Sequence, residues 1–388
     1  MGGGVGGRRK ETCGDGGIAM SGTDKPLRIL MVCDLWQGSD SYALARAFRR
    51  AGHSVTVVSD STYYARDWRS RWLRFARKLL RPLIVSDFNH ALTRAAEGLQ
   101  PHLLFVCKGV LVEPSSIEAA KRAGATAVLW WPDVSFFAHG PSIPRAVPHY
   151  DWIFTTKTFG LADLKAKFGF ERASFLPHAF HPEVHRKFRA DASDEARYGC
   201  DVSFIGTWSP KKQMLLEALV DRRPGVKLKI WGMQWDKAGP GLARWVESRE
   251  VLGAEYAKAI RLSKVNLGIL SEARQGSSSG DLITARTFHI PACGGFMLHE
   301  RTEEVAQYFV EGRECGMFEG PQEMAEKVGY YLDRPVEREA VAEAGHLRCL
   351  NSGHSVDDRA RTMLAKVEAL RVERSADAPY LAKAVNAP

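Results

Sequence analysis

Short apolar runs recur along the first half of the chain, and segments with helical periodicity separate them. The runs are LRILMVC, SVTVVS, HLLFVC, ATAVLWW and DWIFTT, which begin at Leu27, Ser54, His102, Ala125 and Asp151. Intervening segments such as SSIEAAKRAG and LADLKAKFG end on glycine, as helices commonly do. Nearly continuous apolar strands that alternate with helices are typical of a parallel sheet covered on both faces.

The same alternation starts again after a passage that contains several prolines and histidines. The new strand candidates are DVSFIG, VKLKIWG, KVNLGIL, GFML and CGMF, which begin at Asp201, Val226, Lys264, Gly295 and Cys315. The pattern predicts an α/β protein with two doubly wound domains that face a cleft. We expect a disordered tail over 1–25, domains over 26–177 and 200–352, a linker over 178–199, and a C-terminal helix and tail over 353–388 that pack across the junction.

The composition excludes several classes of protein. With 45% hydrophobic and 26% charged residues, the 388-residue chain is typical of a soluble globular protein. No window approaches the roughly 20 apolar residues that a bilayer span needs. The seven cysteines are scattered and form no C-x-x-C motif, which predicts free thiols in a reducing compartment. The Gly-rich start lacks the apolar core of a secretory signal, so we expect a cytoplasmic protein.

The formal net charge of +9 raises the question of an anionic partner. The basic residues concentrate in RDWRSRWLRFARKLLRPL, in which Trp68, Trp72, Phe75 and Leu79 follow helical spacing. A basic amphipathic helix suits an anionic membrane surface, and a core-facing helix with a solvated back explains the pattern equally well. We therefore expect no nucleic-acid partner, and peripheral contact with the inner membrane through Arg66–Arg81 is one hypothesis. Nucleic-acid binding is a weaker alternative that would depend steeply on salt.

Ligands of open α/β sheets bind beyond the carboxyl ends of the strands. Neither G-x-G-x-x-G nor G-x-x-x-x-G-K-[ST] occurs there, so hydride transfer and ATP hydrolysis have no signature. FIGTWSPKKQMLLEAL instead predicts a strand, a glycine turn and a helix that opens with Pro210, Lys211 and Lys212, an arrangement that can hold a diphosphate. GSSSG then precedes Asp281, a candidate helix N-cap. The two loops together favour a phosphorylated ligand.

The run HAFHPEVH superficially resembles a metal site because it contains His178, His181 and His185 together with Glu183. Its spacing is not a standard zinc pattern, and Pro182 interrupts any helix. We therefore predict no metal site.

The sequence resembles one known family over most of the span from Leu27 to Leu370. The segment from Tyr256 to Leu332, with RTFHIPACGGFML as its most specific block, is similar to the glycosyltransferase-like domain of the CgeB and YkvP spore-protein group, as are GHLRCLNSGHSVDDRARTML, VLWWPDVSFF and FLPHAFHPEVH. The resemblance implies a GT-B fold of two Rossmann-like domains. It also implies a UDP-, GDP- or dTDP-linked sugar donor bound mainly by the second domain, an unidentified acceptor, retention of configuration, and neither a metal nor another cofactor.

Related retaining GT-B enzymes carry two glutamates separated by seven residues, the second just before an A-x-A-C-G stretch. The resemblance places Asp281 at the first position and His289 at the second. It implies that Asp281 lies near the reacting sugar. It also implies that His289 accepts a hydrogen bond from the ribose of the nucleotide through its unprotonated ring nitrogen.

Phosphate-binding residues follow from the same resemblance. Lys212 matches a lysine that holds the leaving diphosphate, whereas Thr207 stands where the family has an arginine. Arg286, one helical turn before His289, is a candidate to replace that charge.

On the acceptor side, Gly38 and Ser39 match a loop that approaches the donor phosphates. Asp133 follows Pro132 in a loop where related enzymes place a His-Asp pair, and it is the candidate base of an inverting reaction. The candidate catalytic residues are Asp281, Lys212 and Asp133, and the candidate donor-binding residues are Gly38, Ser39, Gly206, Thr207, Lys212, Ser278, Ser279, Gly280, Arg286 and His289.

The departures from the family pattern leave a second function open. The substitutions at Asp281, His289 and Thr207 favour a GT-B-fold protein that has lost catalysis and acts as a binding or scaffold module. His354 and Arg359 match a C-terminal H...R pattern of the family and are expected to be structural.

Overall fold

The computed structural model describes residues 25–34, 36, 38–63 and 71–385. The tail predicted over 1–25 lies almost wholly outside these residues, as does the segment from Arg66 to residue 70 of the predicted basic helix.

The first domain is built on a six-stranded parallel sheet with the order β2-β1-β3-β4-β5-β6. All five predicted strands are confirmed, and β6 adds a short edge strand that is only partly buried and so lacks an apolar signature. The strands are β1 (Arg28–Val32), β2 (Ser54–Val58), β3 (Leu103–Cys107), β4 (Thr126–Trp131), β5 (Trp152–Thr155) and β6 (Ala173–Phe175). The helices are α1 (Asp40–Arg50), α2 (Arg71–Leu99), α3 (Pro114–Arg122), α4 (Ser142–Ala146) and α5 (Phe159–Phe168).

The second domain is built on a five-stranded parallel sheet with the order β11-β10-β9-β7-β8. Its strands are β7 (Cys200–Ile205), β8 (Leu228–Trp231), β9 (Ser263–Gly268), β10 (Met297–Glu300) and β11 (Gly316–Phe318), and each end lies within two residues of the predicted one. Its helices are α6 (Ala192–Tyr198), α7 (Pro210–Arg222), α8 (Ala254–Arg261), α9 (Ala285–Ala292), α10 (Glu303–Tyr308), α11 (Gly320–Leu332) and α12 (Pro335–Asn351). The predicted linker therefore ends in a helix, α6, which contacts α8 of the second domain.

The C-terminal helix α13 (Val356–Val385) returns to the first domain. Its apolar side chains join the core formed by α1, β1 and β3; they are Val356, Ala360, Met363, Leu364 and Val367. The Arg359 guanidinium donates hydrogen bonds to the carbonyl oxygens of Pro177 at 3.0 Å and His178 at 3.3 Å. The prediction that the C-terminal part crosses the junction is thus confirmed, and Arg359 has the structural role expected of it.

The carboxyl ends of both sheets face one cleft, and the loop after β9 reaches across it. Ser135 Oγ of the first domain donates to the carbonyl oxygen of Gln275 at 2.6 Å, and the Asp163 carboxylate accepts from the Ser278 backbone N–H at 3.0 Å. No helix in the described ranges is both long enough and apolar enough to cross a membrane. The six cysteines within the described ranges are buried and unpaired, as predicted.

Candidate active site

Two glycine turns of the second domain form the floor of an interdomain pocket. Gly206 follows β7 and Gly232 follows β8. Gly232 has a φ of +131°, and a Cβ at this position would lie 2.3 Å from the Gly206 carbonyl oxygen. Trp235 fixes the same carbonyl group because its Nε1–H donates to it at 2.8 Å. The two turns can therefore pack this closely only with glycine at 232.

The pocket above these turns is an open cleft of about 690 Å³ between the two domains, a volume that includes space open to solvent. It brings together five of the predicted donor-binding residues, which are Gly38, Gly206, Thr207, Arg286 and His289. The remaining lining residues are Trp36, His185, Ile205, Gly232, Met233, Glu250, Val251, Leu252, Gly253, Tyr256 and Ala285. Ser39 lies beside the pocket, where it caps α1 and lines a smaller neighbouring cavity.

Arg286 is a half-buried positive charge at the edge of the pocket. Its guanidinium donates to the carbonyl oxygens of Ile269 at 2.6 Å and Ile205 at 3.3 Å, and it lies over the Phe204 ring. A Cβ on Gly206 would approach Arg286 Nη1 to 2.9 Å, so the arginine lies directly against the glycine turn. Arg286 thus lies beside Gly206 and Thr207, where it can replace the positive charge of the arginine that the family has at position 207.

Lys212 lies in the first turn of α7, which Ser209 caps and Pro210 opens as predicted. Its Nζ donates to the Thr207 carbonyl oxygen at 3.1 Å and to Ser271 Oγ at 3.2 Å, and its side chain is buried. Burial, followed by repulsion from Arg286, lowers the pKa of Lys212 to about 8. An ammonium group has three N–H donors, so one remains for an anion at the α7 N-terminus.

His289 lies on α9 and is less than a tenth exposed. Its Nε2 is 3.0 Å from the Ala179 carbonyl oxygen, so this nitrogen carries the proton and Nδ1 is the unprotonated nitrogen that the resemblance requires. Burial lowers the pKa of His289 to about 4, although the Asp40 carboxylate opposes this shift. The ring is therefore a neutral hydrogen-bond acceptor at neutral pH.

Asp281 does not cap the following helix, so that prediction is wrong. Thr284 is the N-cap of α9, and its backbone N–H donates to Thr287 Oγ1 at 3.0 Å. Asp281 instead forms an ion pair with Lys157 of the first domain, with Nζ and Oδ1 2.6 Å apart. Burial raises the pKa of the Asp281 carboxyl, but Lys157 outweighs that effect and the net shift is downward. The Asp281 carboxylate is thus engaged by a protein cation.

The Gly/Ser loop lies against the first domain and does not line the 690 Å³ pocket. Ser278 binds Asp163 through its backbone, Lys167 donates to the Gly276 carbonyl oxygen, and Gly276 packs on Phe137. A Cβ on Gly280 would lie 2.6 Å from the Ser271 carbonyl oxygen, so glycine is required there for packing. The described contact of Ser278 is therefore interdomain, whereas that of Gly280 is a packing contact within the loop of the second domain.

Asp133 lies at the end of β4 and is paired twice. His139 Nε2 is 2.7 Å and Lys108 Nζ is 3.0 Å from its Oδ2. Burial opposes ionisation, but Lys108 and His139 prevail and hold the pKa of Asp133 well below its usual range. A carboxylate held in this way is a weak proton acceptor, and its role as a base stays a prediction. Pro132 stands where related enzymes have a histidine before the aspartate, but His139, six residues after Asp133, brings a histidine ring to this carboxylate.

The histidines of HAFHPEVH are dispersed among different partners. His178 Nδ1 is 3.1 Å from Asp40 Oδ2, and His185 Nδ1 accepts from the His181 backbone N–H at 2.9 Å. Both ring nitrogens of His181 are buried without a partner. Across the described ranges, no three His, Cys, Asp or Glu side chains are grouped so that they could hold a metal.

Sequence reasoning missed eleven of the sixteen residues that line the pocket. Gly232 was detectable, since it directly follows an apolar strand in the same way as Gly206. The segment from Glu250 to Gly253 is irregular and carries no motif, and Tyr256 is one aromatic residue on a short helix. The sequence suggests a role for His185 only as a metal ligand. Its position in this pocket depends on how the linker folds back.

Two facing Rossmann-like domains with this pocket between them are a GT-B fold. The structure is similar to a glycosyltransferase from Rickettsia africae ESF-5, at 10% identity and a TM-score of 0.62, covering 89% of this chain and 98% of that chain. It is similar to Alr3699/HepE of Anabaena in complex with UDP and glucose, at 12% identity and a TM-score of 0.59, covering 88% and 99%. It is also similar to the sucrose-phosphate synthase of Thermosynechococcus elongatus, at 11% identity and a TM-score of 0.60, covering 92% and 100%. Identities this low establish the fold alone, and they confirm the predicted fold class.

In sequence, the model of the glycosyl transferase-like family matches residues 211–365. The match begins in α7 and ends in α13, so it contains Lys212, Asp281, Arg286 and His289. No curated protein matches the sequence. The family match covers less than half of the chain and supports the predicted resemblance at the level of glycosyltransferases. The finer resemblance to the CgeB and YkvP group stays a prediction.

Proposed function

We propose that the protein is a glycosyltransferase that takes a sugar from a nucleotide-sugar donor in the cleft between its domains. The observation that carries this proposal is the convergence of Arg286, His289 and the Gly206–Thr207 turn on one pocket beside the start of α7. These groups suit the parts of a nucleoside diphosphate: cations and free backbone N–H groups for the phosphates, and a neutral acceptor for the ribose.

The chemistry requires stabilisation of the departing nucleoside diphosphate. Arg286 and Lys212 offer fixed positive charge, and the N-terminus of α7 adds the positive end of the helix dipole. Because these groups offset the phosphate charge, we propose a metal-independent reaction. UDP-, GDP- and dTDP-sugars are the candidate donors, and the acceptor is unidentified. Retention of configuration with Asp281 beside the sugar stays a prediction from the resemblance.

A nucleotide panel tests the proposal. We expect UDP, GDP or dTDP to raise the melting temperature, the Lys212→Ala variant to lose that shift, and the best nucleotide's sugar conjugates to be slowly hydrolysed. Lys211→Ala is the matched control, because the neighbouring lysine pairs with Glu300. Hydrolysis should persist in EDTA. Absence of a shift with every nucleotide would contradict the proposal.

One observation favours a second function, a nucleotide-binding or scaffold module without catalysis. Asp281 is neutralised by Lys157 inside a buried ion pair, and Thr207 lacks the family's positive charge. Hydrolysis or transfer of the donor sugar distinguishes the two functions. Nucleotide binding without hydrolysis or transfer over a donor and acceptor panel would support the binding module.

We also propose that α2 makes peripheral contact with an anionic membrane. The corresponding location is the cytoplasm, with the protein at the inner membrane surface. Leu79, Leu80 and Leu83 are 72%, 44% and 63% exposed on this helix, within an arginine-rich part of the sequence. Co-sedimentation with anionic vesicles should exceed that with zwitterionic vesicles and should fall in a Leu79→Ser/Leu83→Ser variant. Equal sedimentation of both proteins would refute the contact.

A further inference from the structure

Two stacked histidines form part of the wall of the 690 Å³ pocket. The rings of His185 and His289 lie 3.7 Å apart between centroids with an interplanar angle of 23°. Tyr256 packs edge-on against both rings, at 5.4 Å and 5.7 Å. Both histidines are more than nine-tenths buried and line the pocket. His185 reaches this position from the interdomain linker, whereas His289 lies on α9 of the second domain.

Backbone groups fix the proton position on each ring. The His181 backbone N–H can only donate, so His185 Nδ1 accepts its hydrogen bond and the His185 proton lies on Nε2. The Ala179 carbonyl can only accept, so His289 Nε2 donates and His289 Nδ1 is unprotonated. Burial lowers the pKa of both rings, so both are neutral at neutral pH.

The pair thus presents one donor and one acceptor. His185 Nε2 and His289 Nδ1 have no hydrogen-bond partner in the described part of the chain, and neither is enclosed by protein. His181 differs, because both of its ring nitrogens are sealed inside the protein. A carboxylate at position 289 would instead offer two acceptors and no donor.

The surroundings of His289 explain why a carboxylate does not suit this site. Its Nε2 faces the Ala179 carbonyl oxygen and also lies 3.9 Å from Asp40 Oδ1. A glutamate at this position would place an anion against two acceptors in a buried setting, which is strongly unfavourable. Histidine supplies the donor that these neighbours require and keeps an acceptor on its other nitrogen.

We propose that His185 completes the ribose site that the resemblance assigns to His289. In this arrangement His289 Nδ1 accepts from one hydroxyl group of the donor's ribose, and His185 Nε2 donates to the neighbouring hydroxyl group. The site would then select ribonucleoside diphosphates, such as UDP or GDP, over 2′-deoxyribonucleotides such as dTDP. This inference rests on the proposed function, because it requires a nucleotide in this pocket. Loss of one hydroxyl leaves a buried donor or acceptor unpaired, which corresponds to about 10- to 100-fold weaker binding.

Calorimetric titration with UDP, 2′-deoxy-UDP and 3′-deoxy-UDP tests whether the two histidines recognise the hydroxyl groups. The corresponding GDP series is used if the nucleotide panel selects guanine. The wild type should bind both deoxy nucleotides about 10- to 100-fold more weakly than UDP. His185→Phe keeps a stacking ring but removes its nitrogens, so discrimination should disappear at one hydroxyl and persist at the other. His289→Phe should show the converse loss.

Two further variants separate recognition from packing. His185→Gln can accept from the His181 N–H and still donate to the ligand, so it should keep most of the discrimination. His181→Phe makes the same ring change outside this pocket and should keep all of it. Equal wild-type affinity for UDP and both deoxy nucleotides would overturn the inference and leave the proposed function standing. Uniform weakening of all three nucleotides in His185→Phe and His185→Gln would also overturn it. If no nucleotide binds the wild type, the proposed function fails first.

Discussion

Lys157 of the first domain and Asp281 of the second form a buried ion pair across the cleft, with Nζ and Oδ1 2.6 Å apart and side chains only 3% and 8% exposed. The next residue, Thr158, donates from Oγ1 to Glu304 Oε2 at 2.8 Å. Two consecutive residues at the end of β5 therefore bind the second domain. Asp281 holds the domains together, whatever further role it has at the reacting sugar.

Removing Lys157 should destabilise the protein strongly. Lys157→Met leaves the Asp281 carboxylate buried without its cation, and breaking a buried pair in this way costs about 3–5 kcal/mol. Urea unfolding should show the loss as a lower free energy of unfolding. Lys165→Met is the matched control, since the Lys165–Glu171 pair is fully exposed and its loss should leave the transition unchanged. Equal transitions for both variants would show that water already solvates Asp281.

The contact between the two glycine turns gives a second prediction. Gly232→Ala puts a Cβ 2.3 Å from the Gly206 carbonyl oxygen at a φ of +131°. We expect a loss of about 1–3 kcal/mol in unfolding free energy, together with weaker nucleotide binding because the pocket floor must shift. Gly225→Ala, which has no heavy atom within 4 Å of its Cβ, should change neither quantity. A stable Gly232→Ala variant with unaltered nucleotide affinity would contradict this packing.

Local patterns predicted the sheets and the start of α7 because their causes are local. Each strand except β6 lies in a short segment rich in apolar residues, and Pro210 with its lysines marks a helix start directly. The start of α9 was misplaced for a local reason as well. Its N-cap is Thr284, whose backbone N–H donates to Thr287 Oγ1, whereas the usual capping signature ends in Glu or Gln and therefore does not mark this helix start.

Long-range contacts explain the rest of the differences at the site. The partners of Asp281 and Asp133 are Lys157, Lys108 and His139, and only the folded domains bring these charges together. The spacing that relates His289 to Asp281 drew attention to a segment that contributes His289 to the pocket. The spacing did not reveal that Asp281 pairs with Lys157 of the first domain, whereas His289 lines the pocket.

Arg286 should be necessary for nucleotide binding. Arg286→Met removes the guanidinium beside the Gly206–Thr207 turn, and loss of a charged hydrogen-bond donor to phosphate corresponds to about 10- to 150-fold weaker binding of UDP or GDP. Arg286→Lys should recover only part of the affinity, because lysine lacks the planar fork that also holds the Ile205 and Ile269 carbonyls. Calorimetric titration measures both. Full affinity in Arg286→Met would exclude this arginine as the phosphate cation.

Lys212 should make nucleotide binding sensitive to alkaline pH. Burial and Arg286 lower its pKa to about 8, so the free protein loses the ammonium proton as the pH rises through that value. A bound diphosphate favours the protonated form and raises the pKa of Lys212 again. Affinity should therefore be constant between about pH 7 and 8 and should fall by up to about tenfold per pH unit above that, until the pKa of the complex is reached. The terminal phosphate is already ionised in this range, since its second pKa is about 6.

A Lys212→Arg variant isolates this effect. Arginine keeps its charge throughout the range, so its nucleotide affinity should not depend on pH between 7 and 10, even if the longer side chain weakens binding overall. The lowered pKa of Lys212 also affects the pH dependence of folding stability. The unfolded lysine has the higher pKa, so between pH 8 and its ordinary value the unfolded state binds more protons, and this group adds stability as the pH rises. Weaker nucleotide binding at high pH therefore cannot result from unfolding at Lys212. An identical alkaline fall in the wild type and in Lys212→Arg would assign the titration to another group.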